Sequence, residues 1–564
     1  MKQIKYKENL ENSRNNVIIF MAIVVVAIIV LLGRYAQLAL VKKVNQVDLT
    51  QLNQSVPNRS SIELARRGNL YDHKGQPIAM DTTSYSIYAV LKGDWAEGKI
   101  VKDYEKTAQV LSNYLDLSPE EILAYLQTPN VDQVEFGSAG AKLSPQTKEA
   151  IENQDLSGIG FHSETSRMYI NDFYASHLIG YVKKVQEMDP HQVIFKGESG
   201  IEAAYDEWLS GENQMGPNNY PVGQDIYLTL DHRLQNGLED ILQDIYRHYQ
   251  PKQVGAYLVE VKSGKLLAAG QRPSFNLNTK EGIDDLWQNL MVEAAYEPGS
   301  TIKILTMAEA IDQGVIKEND GFKSGSVEVY NYTVRDYNKY GWGWLNFDEG
   351  LIRSSNVGMV ELVKRMGDDN WVTSLRKMGF GTTTASRLPN ETTGNLDFSN
   401  PVSRIMSGFG QGFSATPIQL MQAFTSIANQ GEMVKIQYIE HVANQSYKRQ
   451  VLGQAFSHEA ANHVLKVMEE AVSSKHGTGQ AFKRSDLRVA AKTGTAEIAD
   501  PNSQGYLQGK NDYYFSVVSF FPAESPQYMV YIFVKQPQQM AGKSGTQIVS
   551  EAFHPLVDAV MINH

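Results

Sequence analysis

The chain has 564 residues, 42% hydrophobic and 20% charged, with a net charge of −11 at pH 7 and no cysteine. That length leaves room for more than one domain, and an acidic balance without a long basic run argues against a nucleic-acid partner. The missing thiols exclude disulfides, thiolate catalysis and cysteine metal sites, and with no H-E-x-x-H among the twelve histidines neither a catalytic metal nor a cofactor is expected.

In chain order, the first element is an unbroken apolar run from Val17 to Leu32, which the less charged residues through position 40 extend to the length of a membrane span. Lys2, Lys5, Lys7 and Arg14 precede it and Arg34, Lys42 and Lys43 follow, a bias that weakly favours an internal N-terminus. No small-residue cleavage site follows the run. The expectation is therefore a cytoplasmic tail over 1–16, an uncleaved single-pass anchor over 17–40, and the bulk of the chain outside the membrane.

Residues 41–223 alternate short strand-like and helix-like segments, including Arg67-Gly68-Asn69-Leu70-Tyr71-Asp72 and a helix from Ser118 to Leu126. Their polar residues Arg167, His177, Glu198, Glu202 and Asp206 are scattered singly and read as salt bridges and caps. A non-catalytic pedestal is expected, ending in a linker from Gly211 to Gly223 that is rich in Asn, Pro and Gly. A second domain over 224–564 opens with a strand at Ile226–Leu230, a helix capped by Asp231 and running to about Tyr249, and a hairpin turning at Ser263-Gly264. Three strand-like runs, Arg488–Ala496, Tyr513–Phe521 and Gln527–Lys535, precede a helix from about Ser550 to Ile562. Early and late strands with a helical insertion between them predict an α+β fold around one antiparallel sheet.

Three short polar patterns fall in this second domain. Ser300-x-x-Lys303 opens an apolar helix ending near Gly314; residues three apart share a helix face at roughly 5–6 Å between Cβ atoms, so the amine can reach the hydroxyl. Burial there lowers a lysine's proton affinity towards that of a base. Ser354-x-Asn356 precedes a helix at Val357–Lys364, where a serine or asparagine is ordinarily a cap; it can instead relay a proton and hold a substrate amide. Lys492-Thr493-Gly494-Thr495 lies on a strand that, at a sheet edge, offers positive charge, two hydroxyls for a carboxylate, and a glycine that permits close backbone approach. The N–H groups of Ser300 and Thr495 can form an oxyanion hole. Each pattern alone is commonplace, but the ordered set is not. Two others are discounted: Pro537 to Ser544 lacks the first glycine of a phosphate loop, and Gly408, Gly410 and Gly412 lead to Thr416-Pro417, which reads as a helix cap with proline at the first turn. Trp342 and Trp344 either line a cleft or pack.

In this order the three patterns resemble the active-site motifs of penicillin-binding proteins and serine β-lactamases. Arg67 to Asp72, Gly200-Ile201-Glu202, Tyr296 to Ser300, and Gly408 to Gly412 with Thr416-Pro417 resemble class B penicillin-binding proteins of the division type. The stretch from Lys492 to Asp500, through to Gln536-Pro537, most resembles the 2X type, though the chain stops at His564 without the PASTA domains usual there and carries Glu497 where relatives commonly have glutamine. The resemblance implies a dimerisation-type pedestal, a transpeptidase fold, peptidoglycan stem peptides as substrate, β-lactams as inhibitors, and a SEDS-type glycosyltransferase with other divisome membrane proteins as partners. It also implies Ser300 as nucleophile, Lys303, Ser354, Asn356 and Lys492 as catalytic groups, and Thr493, Gly494 and Thr495 as substrate-binding residues. Which lysine is the base at each step stays open. Two alternatives remain: a hydrolase, for which no base for a deacylating water is apparent, and a β-lactam sensor or scaffold that does not turn over.

Overall fold

The computed structural model describes Val25 and residues 43–44, 47–48, 67–93, 99–186, 193–211, 222–443, 445–500, 505–509 and 511–563. The anchor expected over 17–40, apart from Val25, the tail over 1–16 and most of the Gly211–Gly223 linker lie outside these residues; among the described ones no helix is long and apolar enough to cross a membrane. The residues from Ala65 onward form one unit.

Its central layer is an antiparallel sheet of five strands: β1 (Pro251–Glu260), β2 (Lys265–Arg272), β3 (Ala490–Glu497), β4 (Tyr513–Phe521) and β5 (Tyr528–Pro537), in the order β2-β1-β5-β4-β3. Early and late strands meet where β1 pairs with β5, as the sequence leads one to expect, and β3 stands at the edge. Both faces are covered. Along β1, Val254, Ala256 and Leu258 join one apolar cluster while Tyr257 and Val259 join another, the period of two that a pleated strand imposes.

The first cluster is built with α1 (His232–Tyr249), which buries Leu234, Leu238, Leu242, Ile245 and Tyr249 at helical spacing, and with the C-terminal helix α4 (Gly545–Asn563). Asp231 caps α1 by accepting from the backbone N–H of Arg233 and Leu234 at 2.9 and 3.2 Å. The opposite face carries the helical insertion, including α2 (Lys303–Asp312) and α3 (Asn356–Met366). Gly314, at φ +65°, terminates α2 in the left-handed conformation that glycine tolerates.

Two boundaries differ from the sequence reading. The last helix starts at Gly545 rather than Ser550, because Ser544 and Gln547 form a reciprocal cap: the Gln547 side chain accepts from the Ser544 N–H at 2.8 Å, and Ser544 Oγ accepts from the Gln547 N–H at 3.3 Å. The strand at Ile226–Leu228 is not part of the five-stranded sheet. It pairs in parallel with Leu70–Tyr71 and antiparallel with Ile439–Val442, within a separate seven-stranded sheet, so hydrogen bonding crosses the boundary expected at 223/224. The helix expected at Ser118 is present as Pro119–Leu126, with Ser118 and Glu121 in a capping box.

Three of the scattered polar residues of the first region, Arg167, Glu202 and Asp206, join Arg67 and Asp81 in one ion cluster. Arg67 donates to Glu202 at 2.7 Å and Asp206 at 2.6 Å, and Arg167 donates to Glu202 at 2.9 Å and Asp81 at 3.1 Å. Burial acts to raise Glu202, but the two guanidinium groups outweigh it and hold the carboxyl below its ordinary value. Glu198 pairs with Lys183 at 2.6 Å, and His177 bonds the Leu286 carbonyl at 2.7 Å.

Candidate active site

The three patterns converge between the edge strand β3 and the N-terminal ends of α2 and α3. Ser300 lies in a single 3-10 turn, Gly299–Ile302, that runs into α2. Gly299 has φ +56°, and a Cβ there would lie 2.9 Å from the Thr495 carbonyl oxygen and 3.0 Å from Ala496 Cβ. Only glycine lets the Ser300 turn sit against β3. The same turn is braced from behind, where Gly299 N–H donates to Gly410 O at 3.0 Å; a side chain on Gly410 would collide with the Gly299 backbone.

Lys303 is fully buried and donates three hydrogen bonds: to Ser354 O at 2.6 Å, to Asn356 Oδ1 at 2.7 Å, and to Ser354 Oγ at 3.3 Å. All three reach the second pattern rather than Ser300. Lys492, also fully buried, donates to Ser354 Oγ at 2.8 Å and to Thr493 O at 2.9 Å. One hydroxyl thus bridges two amines. Burial pulls Lys303 down to about 7, with Asp336 pulling the other way; burial, then repulsion from Lys303, lowers Lys492. Near neutral pH the pair can hold fewer protons than two exposed lysines and can pass one along the shared hydroxyl.

At the second pattern the helix cap is the middle residue. Ser355 Oγ accepts from Gly358 N–H at 3.0 Å, which leaves Ser354 and Asn356 free to face the lysines. Ser354 itself has φ +59°, a strained conformation for a non-glycine residue. The Asn356 amide orientation follows from chemistry, since a lysine ammonium only donates, so its oxygen faces Lys303 and its nitrogen donates to Arg335 O at 2.9 Å.

On β3, Lys492, Thr493 and Gly494 are buried and Thr495 is exposed. The space beside Gly494 is taken by the protein: a Cβ would collide with Ser516 Oγ and come within 3.0 Å of Thr301 Cγ2. Its glycine therefore serves packing of the strand on the Ser300 turn. Trp342 packs, with its ring 5.2 Å from that of Tyr337 and the Arg353 guanidinium 5.7 Å away, whereas Trp344 is exposed.

Two groups beside the site escape sequence reasoning. Asp336 is buried and accepts from Ser355 Oγ, Asn356 N–H and Val357 N–H at 2.8, 2.7 and 3.1 Å on one oxygen, and from Gly325 N–H at 2.9 Å on the other. Its place twenty residues upstream, in an unremarkable Arg-Asp-Tyr, gave no local signal. Glu297 accepts from Gly412 N–H at 2.8 Å and Tyr506 Oη at 3.2 Å, tying the Ser300 turn to two loops. Burial, then repulsion from Glu497, pushes it up to about 7, against the pull of those two donors. Glu497 accepts from Gln411 at 2.7 Å. A carboxyl next to Pro298-Gly299-Ser300 was the available hint.

Two buried lysines sharing the half-buried Ser354 hydroxyl, next to the Ser300 turn and on the edge of an antiparallel sheet between helices, are the arrangement of an acyl-transferring serine enzyme. Residues 254–554 match the penicillin binding protein transpeptidase domain, more than half of the chain, and the chain belongs to that family. Residues 62–220 match the penicillin-binding protein dimerisation domain. Among relatives, stage V sporulation protein D of Bacillus subtilis (strain 168) is 27% identical over 94% of this chain and 82% of its own length. The peptidoglycan D,D-transpeptidase FtsI of Escherichia coli (strain K12) is 24% identical over 95% of this chain and 89% of its own. The crystal structure of penicillin binding protein 2X from Streptococcus thermophilus superposes with a TM-score of 0.71 at 29% identity, covering 88% of this chain and 79% of that one.

Proposed function

We propose that this chain is a serine D,D-transpeptidase that cross-links peptidoglycan stem peptides, with Ser300 as nucleophile. The observation that carries the reading is the Lys303–Ser354–Lys492 chain, held at 3.3 and 2.8 Å around one hydroxyl beside the Ser300 turn. Lys303, drawn down to about 7 by burial, takes the Ser300 proton as the hydroxyl attacks the penultimate D-Ala carbonyl. The N–H groups of Ser300 and Thr495 stabilise the oxyanion. The proton passes through Ser354 and Lys492 to the departing D-Ala, and Asn356, Thr493 and Thr495 position the peptide. An amine of a neighbouring stem then takes the acyl group, and a β-lactam traps Ser300 in the same ester.

The proposal extends to the rest of the chain: a tail over 1–16, a single-pass anchor over 17–40, a pedestal over 41–223 and a transpeptidase domain over 224–564 outside the cell membrane. The apolar run and the two family matches support this layout. The proposal includes a place in septal wall synthesis beside a SEDS-type glycosyltransferase, supported by the resemblance of the sequence motifs to division-type class B proteins.

Intact-mass spectrometry after mixing with a penicillin tests the site. A persistent one-to-one adduct, absent from Ser300→Ala, is expected; rapid loss of the adduct with hydrolysed drug accumulating favours a β-lactamase, and no adduct at Ser300 overturns the assignment.

A further inference from the structure

The two buried lysines at the site raise a question of charge. Lys303 and Lys492 are each fully buried and share the Ser354 hydroxyl, and two ammonium groups so placed repel strongly in a low dielectric. Asp336, 2% exposed, spends its hydrogen bonds on four donors of the protein: Ser355 Oγ, Asn356 N–H, Val357 N–H and Gly325 N–H. Its charge lies one residue from the lysine chain, because the Asn356 N–H binds Asp336 while the Asn356 side chain accepts from Lys303 at 2.7 Å.

We propose that Asp336 is a positioning residue for acyl transfer, clamping Ser355 and Asn356 at the start of α3 and supplying the buried negative charge that sets how many protons Lys303 and Lys492 hold together. The inference rests on the transpeptidase reading above. In its absence the second pattern loses its anchor and the lysine pair loses its counter-charge, two effects that separate experimentally. The groups facing Lys303 are Lys492 from β3, Asp336 from the segment before α3, and the neutral Ser354 and Asn356. Glu297, pushed up by burial, lies beside the same turn but bonds Gly412 and Tyr506, which a change at Asp336 leaves in place.

The test is the pH dependence of Ser300 acylation by a fluorescent penicillin, measured on the full-length chain for wild type, Asp336→Asn and Asp336→Glu. A positive charge next to Asp336 loses its proton more readily once the carboxylate is gone, so the acid limb of the D336N profile moves to lower pH by about one unit. The D336E profile keeps the wild-type limb, since the charge remains, while its plateau falls by up to about a hundredfold because the longer side chain displaces Asn356. If D336N and wild type share one acid limb, the counter-charge role is overturned; should D336N fail to fold, a D336E plateau equal to wild type overturns the clamping role. A wild-type chain that forms no Ser300 adduct removes the transpeptidase reading instead, and this inference with it.

Discussion

In the proposed mechanism Lys303 takes the Ser300 proton, and its burial has a consequence for stability as well as rate. Its proton affinity is drawn down to about 7 in the folded chain by desolvation, against about 10.4 for a free lysine. Between those values the unfolded chain binds a proton that the folded chain does not, so the contribution of Lys303 to stability is full above the unfolded value and is lost as pH falls towards 7. Wild type should therefore gain stability relative to Lys303→Met on going from pH 7 to pH 9, by up to about 1.4 kcal/mol per unit; denaturant melts at the two pH values measure it, and a pH-independent difference contradicts it. At this scale the sequence was most legible. Ser300, Lys303, Ser354, Asn356 and Lys492 stand in short patterns whose residue types have few other reasons to recur in that order, and the structure brings their elements together. Asp336 was not legible, because its partners lie about twenty positions away and an isolated aspartate has no signature. Nor was it visible that Ser355 takes the cap and so releases its neighbours.

At the scale of elements, α3 and β3 hold the site by different means. The start of α3 depends on Ser355, whose hydroxyl accepts from Gly358 N–H and donates to Asp336 at 3.0 and 2.8 Å. Ser355→Ala should lower stability by about 1–2 kcal/mol and reduce acylation without moving its acid limb, since the Asp336 charge remains; thermal melts and penicillin acylation rates check both. Strand β3 depends on glycine at 494, where Ser516 and Thr301 leave no room for a methyl group. Gly494→Ala should cost about 1–3 kcal/mol through overpacking and slow acylation by shifting β3 from the Ser300 turn; an unchanged melting temperature and rate would contradict that reading. The strands were legible as short apolar runs and α1 from the Asp231 cap. The start of α4 was less legible: its Ser544 and Gln547 capping pair lies inside a stretch that also resembles a phosphate loop.

For the whole unit from Ala65 onward, long-range pairing joins what the sequence divides. Ile226–Leu228 lies between Leu70–Tyr71 and Ile439–Val442, and no local pattern can announce a strand's partner 150 or 200 residues distant. The same holds for the ion cluster. Arg167, Glu202 and Asp206 read singly as ordinary salt-bridge residues, yet Glu202 sits with no exposure between the buried guanidinium groups of Arg67 and Arg167. Glu202→Gln strips the compensating charge from both and should lower stability by about 3–5 kcal/mol, with Ser300 acylation retained in the fraction that stays folded. Calorimetry beside active-site titration measures this, and an unaltered melting temperature contradicts it.

The central claim is transfer of an acyl group from Ser300 to an amine rather than to water. Full-length chain supplied with a glycan-linked pentapeptide donor and an amine acceptor, its products resolved by mass spectrometry, tests it most directly. The expected result is an amide-linked product with release of one D-Ala, absent from Ser300→Ala; hydrolysed tetrapeptide alone, or an unchanged donor, would contradict it.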